Sequence, residues 1–327
     1  MMTEHTRVLL ALSYLKGIGR KGLLQLIQSF RHESEDIFAL FTRHKQYKNK
    51  YGSDDISRAF AKADEQISIA EDKGHRILSY VDQEYPDTLR VIDDPPIILF
   101  CAGNISLLRD VGVSIIGTRE PTEHGVDIAQ KLTKWAVLNK WVVTSGLAKG
   151  IDTQAHKASI NASGHTIAVL AHGLEKVYPA ENKELAKLIL KSDGLLISEY
   201  PYNSFVGKSN FVERDRIQAA LSRAVILVQS GVKGGSLHAS RAALQYGRYL
   251  VVAGQSKTDE LENQSKIEAN LILLKGTDLE KSRLLKKNPS ELYNLLALYH
   301  KEFYPIVQNK IQKHQVMANV PITDSLL

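Results

Sequence analysis

Cysteine is almost absent from this chain of 327 residues: Cys101 stands alone. A single thiol excludes an internal disulfide framework and any zinc site built from the thiolates of one chain. Long apolar runs are missing as well. The N-terminal segment MMTEHTRVLLALSYLKGIG holds only about nine apolar residues in sequence, short of the roughly 20 that cross a bilayer, and lacks a small-residue cleavage site. The expectation is a cytoplasmic protein with neither membrane anchor nor export signal. No GxGxxG opens the helix after the first strand of the α/β region, and no acidic ribose ligand follows it, so a dehydrogenase-type dinucleotide site is disfavoured. What is present is a hydrophobic content of 43%, ordinary for a packed fold, and 42 Lys+Arg against 36 Asp+Glu. The resulting charge of +6 favours a polyanionic partner without defining one.

Two rhythms divide the chain. Over residues 1–80 apolar positions recur at helical spacing, from Val8 to Phe30 and again from Ile56 to Lys73, which ends at a capping Gly74. The stretch HKQYKNKYGSDD from His44 to Asp55 reads as a loop. Gly17-Ile18-Gly19-Arg20 breaks the first stretch into two short helices, and fits either half of a helix-hairpin-helix or a SAM-like domain's plain helical hairpin.

Over residues 81–280 short β-branched runs alternate with amphipathic ones, the pattern of an α/β domain with a mostly parallel, extended Rossmann-like sheet. Strands are expected to begin near Val113, Trp141, His165, Leu195, Ala224 and Tyr249, roughly one βαβ step apart. Before them, Pro95-Pro96 should deliver Ile97 to Cys101 as an extended strand. Residues 281–327 form a mixed tail with no clear winged-helix pattern.

The informative positions lie where strands hand over to helices. Gly117-Thr118-Arg119 follows the first buried strand; glycine lets backbone amides approach a phosphate, and the arginine can grip it bidentately. Ser145-Gly146-Leu147-Ala148-Lys149-Gly150 follows the second strand and brings Lys149 to the same edge. Lys208 precedes a helix read as Phe211 to Leu221, which carries Arg214 and Arg216. Gly234-Gly235-Ser236 forms a further glycine-rich turn, with Ser236 read as a capping serine. Asp152 and His156, four apart on one helix, suit an acid–base pair or two metal ligands, and equally a capping aspartate with a hydrogen-bonded histidine. Tyr178 and Tyr200 could each pack or stack on a base.

Taken in order, SIIGTREPTEHG, SGLAKGIDTQAH, TIAVLAHGLEKVYPAEN, LISEYP, FVERDRIQAALSRAVILVQ and GGSLHASRAALQYGRYLVVAG make a chain that resembles the DprA/Smf family, the DNA-processing protein of natural transformation. That resemblance implies a Rossmann-like homodimer, not an enzyme and without a cofactor or metal, that binds and protects single-stranded DNA and helps load the recombinase RecA. It also implies DNA contacts at Arg119, at Lys208 and near Gly235-Ser236, with Phe211 opening the neighbouring helix. Three departures stand out. The usual Arg-Asn-Arg is Arg214-Asp215-Arg216, the usual Ser-Gly-Ser is Gly234-Gly235-Ser236, and the later Gly-x-Asn is Glu268-Ala269-Asn270. Two other readings of the same turns are a nucleotide-hydrolysing, phosphoribohydrolase-like protein and a DNA-sensing defence module. The hydrolase reading lacks the glutamate expected shortly after the glycine loop, where the chain has Gly234-Gly235-Ser236-Leu237-His238-Ala239-Ser240.

Overall fold

A computed structural model describes residues 2–29 and 36–314; Phe30 and the last part of the tail lie outside them. The N-terminal unit packs α1 (Glu4–Ser13), α2 (Arg20–Gln28), α3 (Ile37–Arg43) and α4 (Ser53–Asp72) around Leu9, Leu12, Leu26 and Phe41. Thr3 caps α1 by accepting from the Thr6 amide at 3.2 Å, and the Thr6 hydroxyl donates to Asp82 at 2.6 Å, which ties the helix to the sheet. α4 starts at Ser53, inside the stretch read as a loop, because Asp55 accepts from the Gly52 amide and so closes the first turn.

One sheet of nine strands forms the core, in the order β1-β2-β6-β5-β4-β3-β7-β8-β9. β1 (Arg76–Ser79), α5 (Asp87–Arg90) and β2 (Ile98–Gly103) come first, and β1–β2 and β2–β6 pair antiparallel. All later neighbours are parallel: β3 (Gly112–Ile116), β4 (Val142–Ser145), β5 (Thr166–Leu170), β6 (Leu195–Ser198), β7 (Ala224–Leu227), β8 (Tyr249–Ala253) and β9 (Leu295–Leu298). Helices α6 (Glu123–Leu138), α7 (Ile151–Asn161), α8 (Lys183–Lys191), α9 (Lys208–Leu221) and α10 (Ser236–Gln245) connect them, followed by α11 (Lys257–Leu261), α12 (Glu268–Lys275), α13 (Asp278–Leu285) and α14 (Tyr304–Lys313). Covered on both faces, β3 buries all five residues of GVSII, which is why parallel strands read as continuous apolar runs.

The structure moves both boundaries read from the sequence. β1 enters the sheet before residue 80, so the helical unit ends at about α4. The segment past residue 280 is not an appended tail: β9 pairs with β8, and Val307 and Ile311 of α14 pack with Trp135. Tyr304 lies 4.7 Å from the Trp135 ring, between centroids. Among the described residues no helix is long and apolar enough to cross a membrane.

Candidate functional site

β3 is flanked by β4 on one side and β7 on the other, so the chain order reverses there and the loops leaving β3 and β7 diverge. Ligands of open α/β sheets bind in the crevice at such a switch point. A cleft of about 620 Å³ occupies it, lined by Gly117, Thr118, Arg119, Lys208, Phe211 and Arg214, and across from them by Gly234, Gly235 and Ser236.

The Gly117-Thr118-Arg119 turn is held from both sides. The Thr118 amide donates to the Gln229 carbonyl at 2.8 Å, and the Thr118 carbonyl accepts from the Ile151 amide at 3.1 Å. Glycine is required by close approach: a Cβ on Gly117 would sit 2.6 Å from the Ile151 side chain. Gly150 has φ +75°, and a Cβ there would lie 2.4 Å from the Thr118 carbonyl, so both glycines keep the turn where it is. The Arg119 side chain is exposed, with its guanidinium 5.9 Å from the Phe211 ring centroid and no carboxylate partner among the described residues. Its neighbour Glu120 is drawn away to Lys266 at 2.5 Å.

The opposite wall starts at Gly235, the residue before α10; Ser236 is the first helical residue rather than the cap, and its hydroxyl donates to Ser230 at 2.8 Å. Among the described residues the amides of Arg119, Gly235 and Ser236 make no hydrogen bond, which leaves three donors at the rim. A helix N-terminus with unpaired amides favours an anion. Asn270, in the departed Gly-x-Asn segment, is buried behind this loop, accepts from the Ser230 amide at 2.8 Å and donates to the Val228 carbonyl at 3.0 Å. The asparagine that anchors the loop is therefore retained although the glycine is not.

α9 begins three residues earlier than its apolar pattern indicates, with Gly207 before it and Lys208 in its first turn. Lys208 has no ion-pair partner among the described residues. Phe211, one turn on, packs against Tyr178 with ring centroids 5.4 Å apart. Arg214 is 4% exposed and forms the floor: its guanidinium donates to the Gly146 carbonyl at 2.5 Å, to Val169 at 2.6 Å and to Asp215 at 3.1 Å. Burial pushes the Asp215 carboxyl up to about 6 against the pull of Arg214.

Four expected contacts are placed elsewhere. Arg216 points away from the cleft, to Glu199 at 2.5 Å and Asp94 at 3.5 Å. Residues two apart on a helix lie about 200° apart around it, so Arg214 and Arg216 cannot share a face. The buried Ser145 hydroxyl donates to the Ile115 carbonyl at 2.7 Å and ties β4 to β3. Asp152 takes the Gly146 and Ala148 amides at 3.1 and 3.3 Å, so two of that turn's donors are used inside the protein. Lys149 pairs with Glu181 and, with Gly146, lines a small side pocket that adjoins the cleft through Arg119, Tyr178, Phe211 and Arg214.

His156 is buried and bonds Thr166 at 2.7 Å, and burial drops its pKa to about 3. Asp152 and His156 thus act as loop anchor and core partner; no group of three or more candidate metal ligands exists among the described residues. Arg20 turns inward to Glu199 and Glu213, each at 3.3 Å, so the glycine turn of the N-terminal hairpin docks on α9. Tyr200 is half-buried outside the cleft. The sequence reading missed His238 and Gln218 in the lining; His238 follows the glycine loop by two residues, a position the loop itself could have flagged.

An α/β protein with a cleft of unpaired amides and basic side chains at the switch point of its sheet is the class this geometry defines. The chain belongs to the DNA recombination-mediator protein A family, whose sequence profile matches residues 76–275. It is 38% identical over 206 residues to the DNA processing protein DprA of Bacillus subtilis, covering 63% of this chain and 69% of that one. It is 38% identical over 185 residues to DprA of Streptococcus pneumoniae, covering 57% and 65%. The X-ray structure of DprA from Streptococcus pneumoniae superposes with a TM-score of 0.65 at 27% identity, over 83% of this chain and 98% of that chain. A structure of DNA processing protein A from Helicobacter pylori, described for its single-stranded DNA binding mode, gives 0.58 at 26% identity, over 72% and 96%.

Proposed function

We propose that this protein binds single-stranded DNA in the switch-point cleft, with phosphates against Arg119, Lys208 and the amides of Gly235 and Ser236, and a base beside Phe211. The observation that carries the reading is the convergence there of three unpaired amides with two cations that have no carboxylate partner among the described residues. Aromatic stacking next to a basic groove holds single strands without reading their sequence. The reading extends to what the family resemblance implies: protecting incoming single strands during natural transformation, as a homodimer, and passing them to RecA.

The site is read as a binding surface rather than a catalytic one because its carboxylates are committed. Glu120 pairs with Lys266, Asp152 accepts two loop amides, and Asp215 pairs with Arg214. No acid follows the glycine loop through Ser240. A fluorescent oligonucleotide should bind more tightly as a single strand than as a duplex, and the affinity should fall as salt rises, since phosphate contacts release counterions. Equal affinity for duplex, or hydrolysis of nucleoside monophosphates by the pure protein, would overturn this reading.

Asp215 makes the affinity pH-dependent. Its carboxyl, raised to about 6, takes up a proton as pH falls through that value and removes a negative charge from the cleft wall. Binding should therefore strengthen between about pH 7 and pH 5. Asp215→Asn should bind at neutral pH as the parent does in mild acid, and lose that part of the profile. His238, whose pKa burial lowers, titrates in both proteins, so their difference isolates Asp215. Superimposable profiles would remove Asp215 from the electrostatics of the site.

A further inference from the structure

The N-terminal unit carries a second basic hollow, away from the cleft. Between residues 37 and 53 the sequence has Arg43, Lys45, Lys48 and Lys50 and no acid, with Tyr47 and Tyr51 among them. The Tyr51 hydroxyl donates to the Lys16 carbonyl at 2.9 Å and fixes this loop against the end of α1. Lys16, Lys50 and Lys62 thereby reach a hollow of about 380 Å³ with Tyr14 and Tyr51 in its wall. The Lys50 ammonium lies 5.3 Å from the Tyr51 ring centroid, and that of Lys62 lies 5.8 Å from Tyr14.

The charges of this hollow are not spent within the protein. All three lysines are exposed, and none has an ion-pair partner among the described residues. Lys149, Lys266 and Lys275, by contrast, each hold a carboxylate. The one acid lining the hollow, Asp55, is turned to Arg58 at 2.6 Å and to the Gly52 amide. The Tyr14 hydroxyl is buried without a hydrogen-bond partner, and burial with nearby Glu65 pushes its pKa up to about 12, so it remains a protonated donor. A buried donor without an acceptor is costly and is satisfied when a ligand supplies one.

We propose that this hollow is a second nucleic-acid contact, in which phosphates of a single strand meet Lys16, Lys50 and Lys62 and a base lies on Tyr51. It rests on the single-strand reading of the cleft and extends it to a strand that engages both surfaces. The two are joined structurally. The Lys50 ammonium is 3.5 Å from where a Cβ of Gly17 would sit, and Arg20, three residues on, pairs with Glu213 on α9, whose first turn lines the cleft. The strand that engages both is one longer than the cleft holds and runs past this turn.

The test is fluorescence anisotropy of the full chain with labelled oligo(dT) of increasing length. The combined Lys16→Gln, Lys50→Gln, Lys62→Gln variant alters exposed side chains only, so its melting temperature should match the parent. Short oligomers of about six nucleotides should bind both proteins alike, whereas oligomers of about 30 should bind the variant at least about tenfold more weakly. The slope of log K against log salt should drop by about two, at about 0.7 for each single-strand phosphate that a lysine no longer neutralises. Tyr51→Leu should weaken the long oligomer several-fold, and Tyr51→Phe, which keeps the ring but loses the bond to the Lys16 carbonyl, should restore part of it. An unchanged length dependence and salt slope would overturn the proposal. Loss of binding to phosphatidylglycerol vesicles with oligonucleotide binding intact would overturn it in favour of a membrane surface. If Arg119→Ala left short-oligomer binding unchanged while the lysine variant lost the long one, the cleft reading alone would fall.

Discussion

Arg214→Ala is expected to cost about 3 kcal/mol of folding stability and to lower the melting temperature by about 4–5 °C. The side chain is buried and makes three hydrogen bonds from one planar fork, to two main-chain carbonyls from neighbouring loops and strands and to Asp215. Removing it strands both carbonyls and leaves Asp215 unpaired, and a buried group without its partner costs more than the bond itself contributed. Arg214→Lys should recover little, because an ammonium cannot reproduce the fork. Adding Asp215→Asn to Arg214→Ala should restore part of the loss by removing the orphan charge, a coupling that a double-mutant cycle reads directly. Urea and thermal denaturation decide the matter: a variant melting within about 2 °C of the parent would show that the cleft floor stands without this residue.

Arg119→Ala should leave folding untouched and weaken single-strand binding by about tenfold to a hundredfold. Arg119 is exposed and has no carboxylate partner among the described residues, so its removal orphans nothing inside the protein. Its loss is then felt only in the complex, where a charge-assisted bond to a phosphate is worth about 1.5–3 kcal/mol and each 1.4 kcal/mol is a factor of ten. The weakening should be similar for all sequences, because a phosphate carries no base information. Lys208→Ala should act in the same direction but less, since an ammonium is a point charge without bidentate geometry. Titrations at two salt concentrations check both, and an affinity that does not move would take Arg119 out of the binding surface.

The opposite behaviour of these two arginines marks the limit of what the sequence can say. Strand starts expected near Val113, Leu195, Ala224 and Tyr249 lie within a residue of the observed ones, because buried parallel strands announce themselves as short apolar runs between glycine turns. The Gly117-Thr118-Arg119 and Gly234-Gly235-Ser236 turns were legible for the same reason, and the structure brings them to one cleft. β1 and β9 were not: they are the two edge strands of the sheet, and neither falls at the βαβ spacing that marks the strands between them.

Which donors remain free after folding was equally hidden. The turns at Gly146 and Gly234 look alike as strings of glycine and small residues, yet the first gives its Gly146 and Ala148 amides to Asp152 whereas the second bonds its Gly234 amide to Gly231 and leaves those of Gly235 and Ser236 unpaired. The helical face was readable in principle. Lys208, Phe211, Asp215 and Gln218 recur at spacings of three and four and share the cleft, and the same spacing excludes Arg216.

β9 sets where this fold can be cut. A chain ended at residue 275, where the family match stops, would lose the partner of β8 and leave the backbone of Tyr249–Ala253 as an open edge. That edge carries Leu250, Val251 and Val252 with no charge or proline to blunt it. Bare apolar edges recruit strands from other molecules. In the intact fold that backbone is paired along its length by β9, and a cut at residue 275 uncovers it.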